Sequence, residues 1–145
     1  MNEFKHIFAD NLKELGRTDI AMHRIDIGDA PPQKQRYPYH AAPREQEFIK
    51  QEVQRMLENN LIQPSESDWA SPVVIAKKKN GKLRFCVDYR KLNKATKKDS
   101  YPLPRVDDLL DAVGEATWFT AIDLASGYWQ IAMDKKSQER TAFVV

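Results

Sequence analysis

The chain has 145 residues, 41% hydrophobic and 30% charged, with a formal net charge of +2. That length suits one domain or a piece of a larger one, and the apolar share is too high for a disordered tail. One cysteine, Cys86, excludes an internal disulfide framework and a four-cysteine zinc site; no run nears the roughly 18 apolar residues of a membrane span, and five glycines form no dinucleotide or Walker loop.

Residues 3–15 place Phe4, Ile7, Phe8, Leu12 and Leu15 at helical spacing, with Gly16 to stop them, which predicts an amphipathic helix. This charged start lacks the apolar core of a secretion signal. Met22 to Asp29 reads as a short strand. Within it, Asp26-Ile27-Gly28 lacks the hydroxyl residue of an aspartic-protease Asp-Thr/Ser-Gly and is read as linker. Pro31, Pro32, Pro38 and Pro43 make residues 30–43 extended, because proline fixes φ and removes a donor. Pro43 also suits the first turn of a helix running to about Asn60, whose apolar face is Phe48, Ile49, Val53, Met56 and Leu57. His6, His23 and His40 are spaced too irregularly for a metal motif.

Residues 61–71 read as a loop holding Trp69. Two β-prone runs follow, Val73 to Ala76 and Leu83 to Val87, around Asn80-Gly81. Asn-Gly favours positive φ at both central positions of a tight turn, so an antiparallel hairpin is expected. Its tip is the most basic part of the chain. Residues 77–99 hold ten Lys and Arg against Asp88 and Asp99, a local net charge of +8 that is the footprint of a polyanion partner. A lysine-rich solvated face is the plainer alternative.

Short helical or irregular structure is expected to Asn93, then an extended Tyr101-Pro102-Leu103-Pro104, since a residue before proline avoids the helical region. Arg105 to Val113 predicts a short helix ended by Gly114. Asp107 and Asp108 there complement the helix dipole. Trp118 to Leu124 predicts an apolar strand, Trp129 to Met133 a further apolar stretch, Asp134 to Arg140 a polar turn and Thr141 to Val145 a last strand, cut inside a larger sheet. Trp69, Trp118 and Trp129 read as packing residues and Cys86 as a small buried hydrophobe.

Asp123 is the sharpest single residue. A carboxylate between Ile122 and Leu124 is costly to desolvate unless paired or metal-bound. The residues alone leave two readings: a cap on the following turn, or a ligand for a divalent cation such as Mg²⁺, which takes oxygen donors and substrate phosphates. The turn Ala125-Ser126-Gly127-Tyr128 adds backbone N–H groups able to cradle phosphate and a ring able to wall a sugar.

A long string of residues resembles one family. Trp69-Ala70-Ser71-Pro72-Val73-Val74 leads to Lys77-Lys78-Lys79-Asn80-Gly81. Arg84-Phe85-Cys86-Val87-Asp88-Tyr89-Arg90-Lys91-Leu92-Asn93 follows, then Tyr101-Pro102-Leu103-Pro104-Arg105 and Phe119 to Gln130. In this order and spacing, they resemble the reverse transcriptase of gypsy-type long-terminal-repeat retrotransposons, over residues 18–145.

The resemblance implies an incomplete right-hand polymerase of α+β class. Residues 1–42 correspond to a connector with its helix and proline-rich linker, 43–104 to the fingers and 105–145 to the start of the palm. Asp123 matches the first of three catalytic carboxylates, which together hold two Mg²⁺ ions, and the Leu124 carbonyl also touches metal. Ser126 and Gly127 match the turn that meets the triphosphate, and Tyr128 the ring under the deoxyribose. Arg84 and Lys78 match the fingers residues on the nucleotide phosphates, with Lys77 or Lys79 one position away as alternatives to Lys78. Asp88, Arg90 and Asn93 match positions along the template, and Lys77 and Lys79 join the nucleic-acid-binding set.

The implied partners are an RNA and DNA template-primer, deoxynucleoside triphosphates and the rest of a polyprotein (protease, ribonuclease H, integrase), with no membrane. The implied setting is intracellular, in cytoplasmic particles, with access to the nucleus left open. The family's remaining carboxylates lie in a Tyr-X-Asp-Asp box, which residues 1–145 do not contain. The isolated chain is therefore expected not to polymerise. The rival expectation is a non-enzymatic nucleic-acid-binding module that uses the basic hairpin.

Overall fold

The computed structural model describes residues 2–9, 11–35 and 37–145, with the side chains of Asn2 and His6 left aside. The expected helix over 3–15 spans Asp10, which lies outside the described residues. On either side of it the chain makes two short 3-10 segments, Asn2–Ile7 and Leu12–Glu14. Asn11 explains the restart: its side chain accepts from the Lys13 amide at 3.0 Å and caps a new turn. Phe4, Ile7 and Phe8 stay exposed, so no packed face offsets the cost of helix nucleation.

Strand β1 is Thr18–His23, earlier than expected. Helix α1 is Pro43–Glu58, close to its expected bounds. Pro43 sits in its first turn, and Glu45 reaches back to accept from the Ala42 amide at 3.1 Å. Met56 is buried, while Phe48, Ile49, Val53 and Leu57 are half-buried along the same face.

Strands β2 (Ser71–Lys77) and β3 (Leu83–Val87) pair antiparallel, Val73 opposite Val87 through Lys77 opposite Leu83. The turn differs in detail from the expected one. Lys78 accepts from Gly81 N–H at 2.9 Å and donates to Lys82 C=O at 2.8 Å, so the loop is three residues, Lys79 to Gly81. Only Gly81 takes a positive φ, +76°; Asn80 instead turns its side-chain oxygen to the Lys82 amide, 3.1 Å away. Such a loop ends on a left-handed residue, which glycine adopts without strain.

Helix α2 is Arg90–Ala95, and α3 is Val106–Val113, ended by Gly114 as expected. A 3-10 turn, Gly127–Gln130, leads into β4, Ile131–Met133. The expected polar turn is a helix, α4, Lys135–Arg140, whose one buried residue is Ser137. A small polar residue on the inward face leaves no apolar period to read. Strand β5, Phe143–Val144, lies parallel to β2, giving the order β3-β2-β5, and β1 pairs parallel with β4 in a separate two-stranded sheet.

The core cluster joins Ile25, Ile27, Trp69 and Leu92, with Tyr89, Ala95 and Met133 against it. Thus Asp26-Ile27-Gly28 is a core segment and not a linker. Phe85 meets Phe143 edge-on at 5.7 Å, and the Tyr89 hydroxyl donates to Thr141 C=O at 2.8 Å. Burial alone pushes the Tyr89 phenol up to about 12. Cys86 is half-buried, less enclosed than expected.

Trp118 to Leu124 is not a strand. No described strand lies beside it, and pairing needs a neighbour that an apolar run does not itself supply. Trp118 is 92% exposed, against the packing role expected of it. The apolar face of α3 (Val106, Leu109, Leu110, Val113) is likewise uncovered. Among the described residues no helix is long and apolar enough to cross a membrane.

Candidate active site

The basic residues divide between a hairpin tip and a short helix. Lys77 ends β2, Lys78 and Lys82 flank the three-residue loop, and Lys79 is its first residue. Arg84 lies on β3 opposite Ala76. Strand alternation sends Phe85 towards Phe143 and Arg84 to the other face. All five cations are exposed, and none has a carboxylate within ion-pair distance among the described residues. Their mutual repulsion is therefore not neutralised within the chain, which is the electrostatic state that a bound polyanion relieves.

Asp88, just after β3, is tied to Pro72 C=O through its amide at 2.8 Å. Its carboxylate takes the Arg90 guanidinium at 2.9 and 2.7 Å. Arg90 and Asn93, three apart on α2, are both exposed and share a helix face. The acid is engaged internally, so Arg90 and Asn93 are the groups presented outward.

Asp123 is exposed and makes no hydrogen bond or ion pair with any described residue. It does not cap the following turn. That turn closes through backbone groups instead: Gly127 N–H donates to Leu124 C=O at 3.2 Å, and Trp129 N–H to Ser126 C=O at 2.9 Å. Gln130 adds a side-chain bond to Ala125 C=O at 2.8 Å. Ser126 holds a left-handed φ of +49°. A Cβ on Gly127 would lie 3.1 Å from the Leu124 Cβ, tighter than an ordinary contact, so a side chain there would shift the turn by a few tenths of an ångström. The Tyr128 ring is 97% exposed.

The structure thus gathers Asp123, Leu124, Ser126, Gly127 and Tyr128 on one turn, and Asp88, Arg90 and Asn93 on another. Lys77, Lys78, Lys79 and Arg84 stand on the hairpin. No hydrogen bond or ion pair joins these three groups among the described residues. One contact escaped the sequence reading: the Arg55 guanidinium of α1 lies 6.0 Å from the Trp129 ring centroid and braces the residue after Tyr128. Arg55 lies outside the apolar stripe of α1, and nothing local in the sequence marks it. Asp107 meets Arg105 at 3.3 Å in the first turn of α3, in keeping with a helix-end role.

Comparison with known proteins places these residues in context. A family profile described as Reverse transcriptase (RNA-dependent DNA polymerase) matches residues 75–145. The retrovirus-related Pol polyprotein from transposon 412 of Drosophila melanogaster is 32% identical over 148 residues, covering 98% of this chain and 12% of that protein. The Pol polyprotein from transposon gypsy of the same fly is 38% identical over 105 residues, 68% of this chain and 10% of that protein. The chain therefore spans only a small part of these relatives. Among solved structures, Prototype Foamy Virus protease-reverse transcriptase superposes with a TM-score of 0.82 at 25% identity, over 99% of this chain and 19% of that one. A foamy viral protease-reverse transcriptase in complex with dsDNA gives 0.69 at 27% identity, over 90% of this chain and 27% of that one.

Proposed function

The chain belongs to the reverse transcriptase family of retroelement Pol polyproteins, and we propose that it contributes the fingers and the start of the palm to RNA-directed DNA polymerisation. The observation that carries this reading is Asp123. An exposed carboxylate with no partner among the described residues stands directly before a turn built from backbone bonds, in a chain whose hairpin cations have no ion-pair partner among those residues either. With its oxygens open to solvent and no structural bond to hold them among the described residues, the side chain is free to meet an external ligand such as a hard cation.

The residues fit part of a magnesium site. The Asp123 carboxylate and the Leu124 carbonyl are hard oxygen donors of the type Mg²⁺ takes. Among the described residues no group of three acidic, His or Cys side chains completes the set. When bound, two Mg²⁺ ions would activate the primer 3′-hydroxyl and stabilise the leaving pyrophosphate.

The chain's own side chains bind and orient. Lys78, with Lys77 and Lys79 beside it, and Arg84 bind the triphosphate of an incoming deoxynucleotide through charge-assisted bonds. The Ser126 amide and the Tyr128 ring orient its phosphates and sugar; the Gly127 amide is already engaged by Leu124. Arg90 and Asn93 hold the template strand. Catalysis of this kind rests mainly on positioning and charge stabilisation.

The test uses the full-length parent protein. Asp123→Asn is expected to abolish primer extension while template-primer binding is retained. Undiminished extension overturns the metal-ligand assignment. A second reading, a nucleic-acid-binding module without chemistry, is favoured by the lone carboxylate at the site. It predicts binding through the hairpin and no extension even by the parent with Asp123 intact.

A further inference from the structure

The Ile-Asp-Ile-Gly segment is tethered from several sides. Ile25 and Ile27 are 9% and 8% exposed and pack with Trp69 and Leu92. Helix α4 grips the Ile25 residue at both of its backbone polar groups. Its N–H donates to Ser137 Oγ at 2.9 Å, and its C=O accepts from the Arg140 guanidinium. Ser137 is itself 1% exposed. Asp26, between the two isoleucines, faces outward. Its carboxylate meets Lys97 Nζ at 3.1 Å, and its C=O accepts from the Lys97 amide at 2.7 Å.

The flanks are paired as well. Strand β1 lies along β4, and the Gln33 carbonyl and Gln35 amide bond the backbone of Ala70 at 3.1 and 2.9 Å. Residues 37–40 contrast with this. They are exposed, and their backbones bond no described residue.

We propose that residues 18–35 are a docking arm, seated in cis as an extended Ile-x-Ile-Gly ligand in a groove formed by Trp69, Leu92, Met133, Ser137 and Arg140. Apolar side chains at alternate positions enter the groove, and a helix hydroxyl and a guanidinium read the peptide groups on either side of Ile25. This is how extended segments are recognised generally: backbone bonds hold the strand and pockets select alternate side chains. The occupant is this chain's own arm, because the segment is already seated there with its buried amide satisfied. The folded unit then begins near Thr18, upstream of residue 75 where the family profile starts, and a cut within 37–40 leaves two pieces that stay together. Docking of the arm does not depend on the polymerase reading.

The test inserts a site-specific protease sequence after His40 in the full 145-residue chain. After cleavage, the two pieces are expected to co-elute in size-exclusion chromatography at high salt, at the volume of the uncut chain. Separation of the pieces overturns the proposal. Ile25→Asp with Ile27→Asp is expected to release the arm on cutting; continued co-elution of that variant overturns the groove assignment. Should the double variant not fold before cutting, Ser137→Ala is read by hydrogen exchange. Loss of its acceptor should speed exchange at the Ile25 amide by about tenfold or more, and unchanged exchange counts against the groove. Template-primer binding measured on the same cut sample reports separately on the functional reading.

Discussion

Asp88 grips the Arg90 guanidinium with both carboxylate oxygens, at 2.9 and 2.7 Å, and also accepts the Arg90 amide at 3.1 Å. The acid's side chain is 13% exposed and the guanidinium's 86%, so the pair sets the direction in which Arg90 points. The Arg90 guanidinium first, and its amide second, hold the Asp88 carboxyl down at about 2, against an ordinary 3.8. A carboxylate depressed on folding adds stability above its unfolded pKa and loses it as pH falls through the folded one. The Asp88 contribution is therefore complete at neutral pH and fades between about 4 and 2. Carboxyl titration by NMR should show Asp88 protonating near the bottom of that window; a midpoint close to 3.8 would contradict the paired geometry.

The hairpin lysines should act through phosphate charge. Each of Lys77, Lys78 and Lys79 that neutralises one phosphate contributes about 0.7–0.9 to the slope of log affinity against log salt. Replacing Lys78 by Ala should lower that slope by about one and weaken binding to all sequences alike. Fluorescence anisotropy with a template-primer across a salt series reads both effects. A slope unchanged in the triple Ala variant would remove the hairpin from the interface.

Gly127→Ala should separate turn geometry from stability. The added Cβ would come within 3.1 Å of the Leu124 Cβ. The turn is exposed and can move by a few tenths of an ångström, so unfolding free energy should change by only about 0.5 kcal/mol. The turn must shift to accommodate it, so the parent enzyme's KM for deoxynucleotides should rise several-fold with an unchanged melting temperature. Unaltered kinetics would mean that this turn does not touch the nucleotide.

Leu92 and Leu109 should respond very unequally to truncation. Leu92 is 3% exposed in the core cluster, and its change to Ala should cost about 2–5 kcal/mol. Leu109 on α3 is 52% exposed, and the same change there should cost roughly 0.5 kcal/mol or less in the isolated chain. Urea denaturation compares them, with the m-value as a check that both transitions stay cooperative.

The polypeptide of residues 1–145 should bind a template-primer without extending it. It holds one candidate carboxylate, and its described residues form no three-membered group able to hold a metal. A primer-extension assay with Mg²⁺ checks this, and metal-dependent synthesis by this polypeptide alone would refute it.

Helix α1 and the β2–β3 hairpin were legible because their signals are local. Pro43 marks a first helical turn, an apolar stripe follows at helical spacing, and Asn80-Gly81 marks a reversal. The reversal's form was not legible, since Asn-Gly serves more than one loop length and the register chose three residues. Helix α4 was missed because its inward residue is Ser137, which bonds a backbone group far away in the chain. Trp118 to Leu124 reads as a strand in sequence because an apolar run cannot say whether a neighbour exists. Asp123 stands out in the sequence as a carboxylate inside an apolar run, and the structure removes its capping reading by leaving it exposed and outside the turn's bonding.

Consecutive residues alone determined the basic block, the hairpin that carries it, and the family of polymerases whose motifs these residues share. Only the tertiary structure decided that Ile25 and Ile27 belong to the core, that Asp88 is occupied with Arg90, and that Asp123 has no partner among the described residues. The reason is physical. Charge density and turn propensity are properties of neighbours along the chain, whereas burial and hydrogen-bond partners depend on distant residues that meet only when it folds.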